Sequence, residues 1–369
     1  MNDHSYMELA LSLAKSVSGQ TSPNPPVGSV AVKEGRIIGM GAHLRAGEPH
    51  AEVHAMNMAG DSAHGSTVYV TLEPCSHYGK TPPCADLLIN KGVKRVVVAT
   101  TDEDSRVSGK GIEKLRSAGI EVDVGILKEE AEQIYKPFFH YIKYKTPYVT
   151  IKSAITMDGK TATVTKHSQW VTGEESRRDV HEYRHKHDAI LVGVGTVIAD
   201  NPSLTTRLPN GGKNPVRIVL DTNLRTPLES NVITDGKVDT WIIIGNKVEK
   251  KKMNQYLQYK NVDIIQLNQE DIKIPQLLKA LGERGIMKLF VEGGAEVNGS
   301  FLKSNAFQQL ITYIAPKLVG GRDAPTSFGG PGFITMDESL NMSIKSVDRI
   351  GEDVRVVAER RNSEDYKGE

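Results

Sequence analysis

Residues 50–60 read His50-Ala51-Glu52-Val53-His54-Ala55-Met56-Asn57-Met58-Ala59-Gly60, and the stretch they open runs on to Cys84. It continues through Ser66-Thr67-Val68-Tyr69-Val70-Thr71-Leu72-Glu73-Pro74-Cys75 and closes with Pro82-Pro83-Cys84. Residues 50–60 have the composition of a short helix, while Ser66–Leu72 reads as a buried strand ending at Glu73-Pro74. Cys84 then opens a second helical stretch behind two prolines, which suit a helix start. Helix, strand and helix in succession are the unit of a layered α/β domain. The same spacing carries chemistry. One imidazole, His50, and two thiols, Cys75 and Cys84, make three zinc ligands and leave the fourth tetrahedral position to water. Both helix N-termini would turn the positive ends of their dipoles towards the metal, favouring thiolate there. Glu52, two residues from the first ligand, is close enough to move protons on that water without binding the metal.

His-x-Glu followed by Pro-Cys is the pattern of zinc-dependent nucleobase deaminases, in which the glutamate works as general acid and base. Two other readings stay open. Cys75 and Cys84 could form a disulfide, or the zinc could be structural, with His77, His54 or His43 as fourth ligand. These are the chain's two cysteines, and no signal peptide precedes them, which points to a reducing compartment and away from the disulfide. Eight residues separate the cysteines, so the second thiol needs its own loop, Ser76–Pro83.

On the N-terminal side, Ser5–Val17 carries an apolar stripe with Ser5-x-x-Glu8 as a capping box. Val27–Val32 and Arg36–Met40 read as two strands joined by a Lys-Glu-Gly turn. Beyond Cys84 come strand Arg95–Ala99, a helix over 110–118 and strand Ile120–Val124, completing an α/β layered sandwich. Asp102–Gly111 is a glycine-containing loop at a strand end, where open α/β sheets hold ligands. Glu129–Tyr144 reads as an aromatic-rich helix with a kink at Pro137, and a domain boundary falls near residue 145.

Strands at 148–155, 189–194, 216–221, 240–245, 262–266, 288–291 and 309–315 make a second α/β domain. Helices are expected at 174–187, 247–258, 275–285 and 296–304, with a terminal hairpin over 342–360. Between a strand ending at Glu292 and the helix that follows, Gly293-Gly294 lets backbone approach a ligand, and the free N–H groups of the helix start suit a pyrophosphate. A plain strand–turn–helix connection fits the same residues. Gly193-Val194-Gly195 begins a dinucleotide-binding fingerprint, but Ile198 stands where its third glycine belongs. His181-Glu182-Tyr183-Arg184-His185 satisfies the zinc-peptidase pattern, yet Arg177, Arg178, Lys186 and their neighbours surround it with positive charge.

A net charge of +1 over 369 residues, without a basic arm or block, gives no nucleic-acid or membrane footprint. The densest basic run, Lys247–Lys252, reads as a solvated helix face. No apolar run is long enough to cross a bilayer. A cytoplasmic enzyme acting on a small molecule is the expectation.

Asn24-Pro25-Pro26-Val27-Gly28, His50-Ala51-Glu52, Glu73-Pro74-Cys75 and His77-x-Gly-x-Thr-Pro-Pro-Cys84 resemble the bifunctional deaminase–reductases of riboflavin biosynthesis. In that family the long inter-cysteine loop separates the enzyme from cytidine and tRNA-adenosine deaminases. The second half resembles it at Ser153–Lys160, Ser168-x-Trp170, Arg184, Gly193–Thr196, Asp200–Arg207, Asp221-Thr222 and Glu292–Ser300. The resemblance implies a cytidine-deaminase-like α/β/α sandwich over residues 1–145, using Zn2+ held by His50, Cys75 and Cys84 with Glu52 catalytic. It implies a dihydrofolate-reductase-like α/β domain over residues 146–369, using NADPH. Ala154, Trp170, Thr196, Asp200, Thr222, Gly294, Ala295, Glu296, Val297, Asn298, Gly299 and Ser300 would touch the dinucleotide. Ser168, Arg184, Leu204, Arg207 and Glu292 would hold the substrate, a pyrimidine ribotide. That substrate is 2,5-diamino-6-ribosylamino-4(3H)-pyrimidinone 5′-phosphate, deaminated first and then reduced to 5-amino-6-ribitylaminouracil 5′-phosphate. Homo-oligomers through the reductase half are also implied. Three rival readings remain at this point: a deaminase of free nucleosides or tRNA joined to an unrelated reductase, a zinc-stabilised binding module, and a peptidase built on His181 and His185.

Overall fold

In the computed structural model the chain divides into two compact units, Met1–Lys145 and Thr146–Glu369. The structure describes residues 2–78, 82–103 and 108–361. Residues 79–81 of the expected inter-cysteine loop and 104–107 of the expected 102–111 loop lie outside them.

The first unit runs α1 (Asp3–Ser16), β1 (Gly28–Lys33), β2 (Arg36–Ala42), α2 (Ala51–Ala59), β3 (Thr67–Leu72), α3 (Cys84–Asn90), β4 (Arg95–Thr100), α4 (Lys110–Ser117), β5 (Glu121–Val124) and α5 (Lys128–Tyr144). Its sheet has the order β2-β1-β3-β4-β5, with β1 antiparallel to β2 and β3, and β3, β4 and β5 parallel. The β1–β2 turn has Glu34 and Gly35 both at positive φ, the hairpin turn whose twist matches that of the strands. Alternate residues of β3 face opposite layers. Val68 and Val70 join a core with Ala55, Met56, Leu88 and Leu115 from α2, α3 and α4. Tyr69 meets Tyr6 of α1 at 5.2 Å between ring centroids, and Thr71 Oγ1 lies 2.5 Å from the Tyr135 hydroxyl of α5. Helices thus cover both sheet faces.

One expectation needs correction here. The cap of α1 is Asn2, whose Oδ1 accepts the Ser5 N–H at 3.0 Å, so Ser5 lies inside the helix rather than capping it. Asparagine caps as well as serine, and starting at Asn2 adds hydrogen-bonded residues to the helix. Pro137 lies inside α5 without ending it.

The second unit contains β6 (Tyr148–Thr156), α6 (Glu174–Lys186), β7 (Ala189–Gly193), α7 (Val194–Asp200), β8 (Val216–Leu220), α8 (Asn231–Thr234), β9 (Thr240–Ile244), α9 (Lys250–Met253) and β10 (Val262–Gln266). It continues with α10 (Ile274–Glu283), β11 (Lys288–Val291), α11 (Ala295–Lys303), β12 (Gln309–Ala315), β13 (Met342–Ile350) and β14 (Asp353–Arg360). Its nine-stranded sheet has the order β10-β9-β8-β7-β11-β6-β12-β14-β13, parallel except for the pairings made by β14. The central strands are apolar at successive positions because both faces are covered. Leu191, Ile218 and Ile243 pack with Leu277 and Phe301, whereas Ile190, Val219 and Ile242 pack on the other side.

The helix expected over 247–258 is helical only at Lys250–Met253, with turns following. The segment is held instead by Tyr256, which is buried and donates its hydroxyl to Thr226 O at 2.6 Å. Helix α7 was hidden in the sequence because Gly193-Val194-Gly195-Thr196-Val197 combines glycines with β-branched residues, all weak helix formers.

His187, just after α6, is buried against Phe290, and burial pushes its imidazole down to about 4, with the charge of Lys288 acting the same way. The unfolded chain takes up this proton below about 6.5. This contribution to stability is therefore complete above pH 6.5 and is lost as pH falls towards 4, an effect of about 3 kcal/mol. His187→Gln should accordingly show a shallower fall of Tm across that interval, measured by calorimetry.

Candidate active sites

His50 is the N-cap residue of α2, yet its side chain makes no capping hydrogen bond. Its Nδ1 instead lies 3.7 Å from Cys75 Sγ and 3.4 Å from Cys84 Sγ. Zinc bonded at about 2.0–2.1 Å to nitrogen and 2.3 Å to sulfur, in tetrahedral array, holds N and S about 3.6 Å apart, so the donor set fits zinc. The local rule for capping gives way to ligand placement. Cys84 opens α3, and its N–H donates to Cys75 Sγ at 3.3 Å while the Ala85 N–H donates to Cys75 O at 3.1 Å. Two unsatisfied donors of the helix start thereby stabilise the Cys75 sulfur and its backbone.

The three ligand side chains perturb one another. The Cys84 thiol beside it, and then His50, hold the Cys75 thiol well below its ordinary range against the opposing effect of burial. Cys75 and burial push the Cys84 thiol up, and the hydrogen bond to Cys75 raises His50. Both cysteines are free, so no disulfide joins them. Among the described residues, the ligand cluster contains only His50, Cys75 and Cys84. His43 is held elsewhere, with Nδ1 3.2 Å from Pro49 O and Nε2 3.1 Å from Asn24 Nδ2.

Glu52, in the first turn of α2, is 3% exposed, and burial pushes its carboxyl up to about 7, with the charge of Cys75 adding to it. A carboxyl poised there can both take and give a proton near neutrality. It faces a cavity of about 620 Å³ whose lining includes His50, Cys75, Asn24, His43, Asp102 and Tyr141. Asn24, His43 and Asp102 were not read from sequence as lining a substrate cavity, because separate loops bring them together. The signals present were the Asn24–Gly28 motif, His43 as a candidate fourth zinc ligand, and the ligand-loop reading of 102–111, of which Asp102 is the first residue.

In the second unit the expected dinucleotide contacts gather along one sheet edge. Ala154 lies near the end of β6, Thr196 in α7 after β7, Thr222 after β8 and Gly294 after β11. Those four strands are neighbours, and their carboxyl ends are where open α/β sheets bind ligands. Gly294 caps α11 in extended conformation, leaving the N–H groups of Ala295 and Glu296 at the helix start. The next three side chains serve the protein itself. A Cβ on Gly293 would meet Val297 Cγ1 at 2.5 Å, so Val297 fills the space that glycine leaves. Asn298 is buried and donates to Ser327 O at 2.9 Å, and Gly299 packs on the Gly329 backbone. Ser300 donates back to Glu296 O at 2.8 Å. Asp200 ends α7 on the surface, and Trp170 is 62% exposed with the Arg177 guanidinium 4.8 Å from its ring centre.

The expected substrate residues divide. Arg184 of α6 grips Glu292 with two hydrogen bonds, at 2.6 and 3.1 Å, and donates to Thr205 O at 3.1 Å. Burial alone would raise the Glu292 carboxyl, but Arg184 and Lys152 outweigh it and hold it at about 2. Leu204 is buried in the core, Ser168 is half-buried in the loop after β6, and Arg207 is exposed. Arg207 borders a second cavity of about 430 Å³ with Arg177, Arg178 and His181. Lys152 was missed by the sequence reading. It lies on β6 with Nζ 3.8 Å from Glu292, and burial lowers its ammonium pKa. Only a lysine following Val149-Thr150-Ile151 within an expected strand could have flagged it. The peptidase pattern dissolves: His181 Nδ1 accepts the Arg207 N–H at 3.3 Å and His185 Nδ1 accepts the Lys213 N–H at 2.9 Å.

Residues 1–100 match the cytidine and deoxycytidylate deaminase zinc-binding region, and residues 147–356 match the RibD C-terminal domain. Riboflavin biosynthesis protein RibD of Bacillus amyloliquefaciens is 49% identical, over 98% of this chain and 97% of that protein. The same-named protein of Aquifex aeolicus is 48% identical, over 97% and 98%. Acinetobacter baumannii RibD superposes with a TM-score of 0.87 at 35% identity, over 98% of this chain and 99% of that one. A Thermotoga maritima diaminohydroxyphosphoribosylaminopyrimidine deaminase/5-amino-6-(5-phosphoribosylamino)uracil reductase does so at 0.87 and 36%, over 97% and 98%. Read with the zinc-ligand cluster and the second α/β unit, these matches make the chain a member of the RibD family, the bifunctional deaminase–reductases of riboflavin biosynthesis.

Proposed function

We propose that the first unit deaminates 2,5-diamino-6-ribosylamino-4(3H)-pyrimidinone 5′-phosphate and that the second reduces the product with NADPH to 5-amino-6-ribitylaminouracil 5′-phosphate. The observation that carries the first step is buried Glu52 beside a His50–Cys75–Cys84 cluster of zinc dimensions. Zinc, which those three residues would hold, would supply an acidified water. Glu52 accepts a proton from water as the water oxygen bonds to the ring carbon, and passes it to the departing ammonia as the exocyclic C–N bond breaks. Asn24, His43 and Asp102 orient the pyrimidine in the cavity they line.

In the second unit NADPH supplies hydride to C1′ of the ribosyl group. The C1′–O4′ bond breaks, and O4′ takes up a proton. Lys152, half-buried beside Glu292, is the proton donor this reading assigns. The N–H groups after Gly294 suit the pyrophosphate, and Arg207 suits the substrate phosphate. Glu292 fixes Arg184 rather than reaching for substrate alone. The enzyme works in the cytoplasm; no helix among the described residues is long and apolar enough to cross a membrane. It self-associates through the second unit, a reading supported by exposed Ile344 and Val347 on the edge strand β13 and open to test by sedimentation velocity.

Metal analysis of the full chain tests the zinc assignment. One zinc per chain is expected, lost together with deaminase activity in Cys75→Ser, while reduction of the deaminated intermediate persists. Zinc retained in that variant would contradict it.

A further inference from the structure

The chemistry above leaves one buried carboxylate of the deaminase unit without a role. Glu73 follows β3, two residues before Cys75, and is 4% exposed. Its Oε2 accepts the N–H groups of Asp102 at 3.3 Å and Gly109 at 2.9 Å. Its Oε1 accepts those of Gly111 at 2.9 Å and Ile112 at 3.3 Å. Four backbone donors, from just beyond β4 and from the start of α4, converge on one side chain. The backbones are equally close: a Cβ on Gly111 would meet Pro74 O at 2.0 Å. A carboxylate at a helix start commonly does no more than satisfy orphan donors. Here the same oxygen that holds Gly109 also holds Asp102, which is 8% exposed and lines the cavity of His50, Glu52 and Cys75.

We infer that Glu73 is a positioning residue of the deaminase, fixing Asp102 against the turn that carries Cys75 so that Asp102 is in place to bind the pyrimidine in the cavity it lines. The inference rests on the reading of this cavity as the deaminase site. Glutamine at position 73 would turn an NH2 group towards backbone N–H groups that need an acceptor, leaving a pair of them unsatisfied. The Asp102 backbone then shifts, while the three zinc ligands keep their own contacts.

The test is steady-state deamination of the diaminopyrimidine ribotide by the zinc-loaded full chain, comparing wild type, Glu73→Gln, Asp102→Asn and the double variant. Each single change should raise KM by about tenfold or more while kcat stays within about threefold, with zinc content and reductase activity unchanged. The double variant should be no worse than the poorer single one, because Glu73 acts through the position of Asp102. Multiplied effects in the double variant would overturn the inference, as would loss of zinc, a fall in kcat alone, or an unchanged KM in Asp102→Asn. Glu73→Asp keeps the charge but shortens the reach, and covers the case of a glutamine variant that fails to fold. It should raise KM less but in the same direction, and an unchanged KM there counts against the inference. Wild-type protein that leaves the ribotide untouched would sink the deaminase reading itself.

Discussion

Glu52→Gln should leave one zinc bound per chain, spare reduction of the deaminated intermediate, and lower deamination by about 10²–10⁴-fold. The reasoning is local. Glu52 is buried in α2 and is not one of the clustered ligands, so an amide of the same shape removes no bond to the metal. It does remove the proton carrier, since glutamine can neither take the water's proton nor hand it to ammonia. Folding should not suffer, because burial already raises the Glu52 carboxyl to about 7 and a neutral amide avoids that desolvation. Metal analysis, an ammonia-release assay and NADPH oxidation on supplied intermediate separate the three quantities. A zinc-loaded variant that deaminates at the wild-type rate would remove Glu52 from the mechanism.

Arg184→Ala is expected to be the most damaging single change in the second unit. The Arg184 and Glu292 side chains are 13% and 11% exposed, and Arg184 supplies both short contacts to the carboxylate. Truncation leaves a largely buried charge whose remaining ion pair among the described residues is with Lys152, at 3.8 Å. Breaking a buried pair in this way costs about 3–5 kcal/mol. Thr205 O also loses its Arg184 donor, one of the contacts that hold the loop leading to Arg207. Denaturant unfolding should register the loss, and NADPH oxidation should disappear. Deaminase activity should remain, since the first unit has its own core. An unchanged midpoint with intact reduction would mean that the pair does not hold the site.

The zinc cluster was legible in the sequence because its chemistry is written in residue types: imidazole, two thiols and a carboxylate in a fixed order. Helix and strand periodicity likewise gave both α/β layers, since apolar alternation and glycine breaks are local signals. What stayed hidden depends on contacts across long separations. Arg184 and Glu292 are 108 residues apart, and in sequence both read as substrate-binding side chains rather than as each other's partners. Lys152 looked like any polar residue in a strand until β11 placed Glu292 beside it. Glu73 was visible as part of Glu73-Pro74-Cys75, but its four donors come from beyond β4 and from α4, which no motif records. The helix over 247–258 failed because Lys250–Lys252 offer helix propensity without an apolar stripe, and tertiary packing of Tyr256 decided the path.

The central claim, that a zinc deaminase feeds a reductase on one chain, is tested most directly by following NADPH absorbance with the diaminopyrimidine ribotide as sole substrate, with and without a zinc chelator. Oxidation should proceed with metal, stop on chelation, and resume when the deaminated intermediate is added. Oxidation of the diamino compound that continues undiminished after zinc is removed would contradict the account, because reduction would then not depend on the first site.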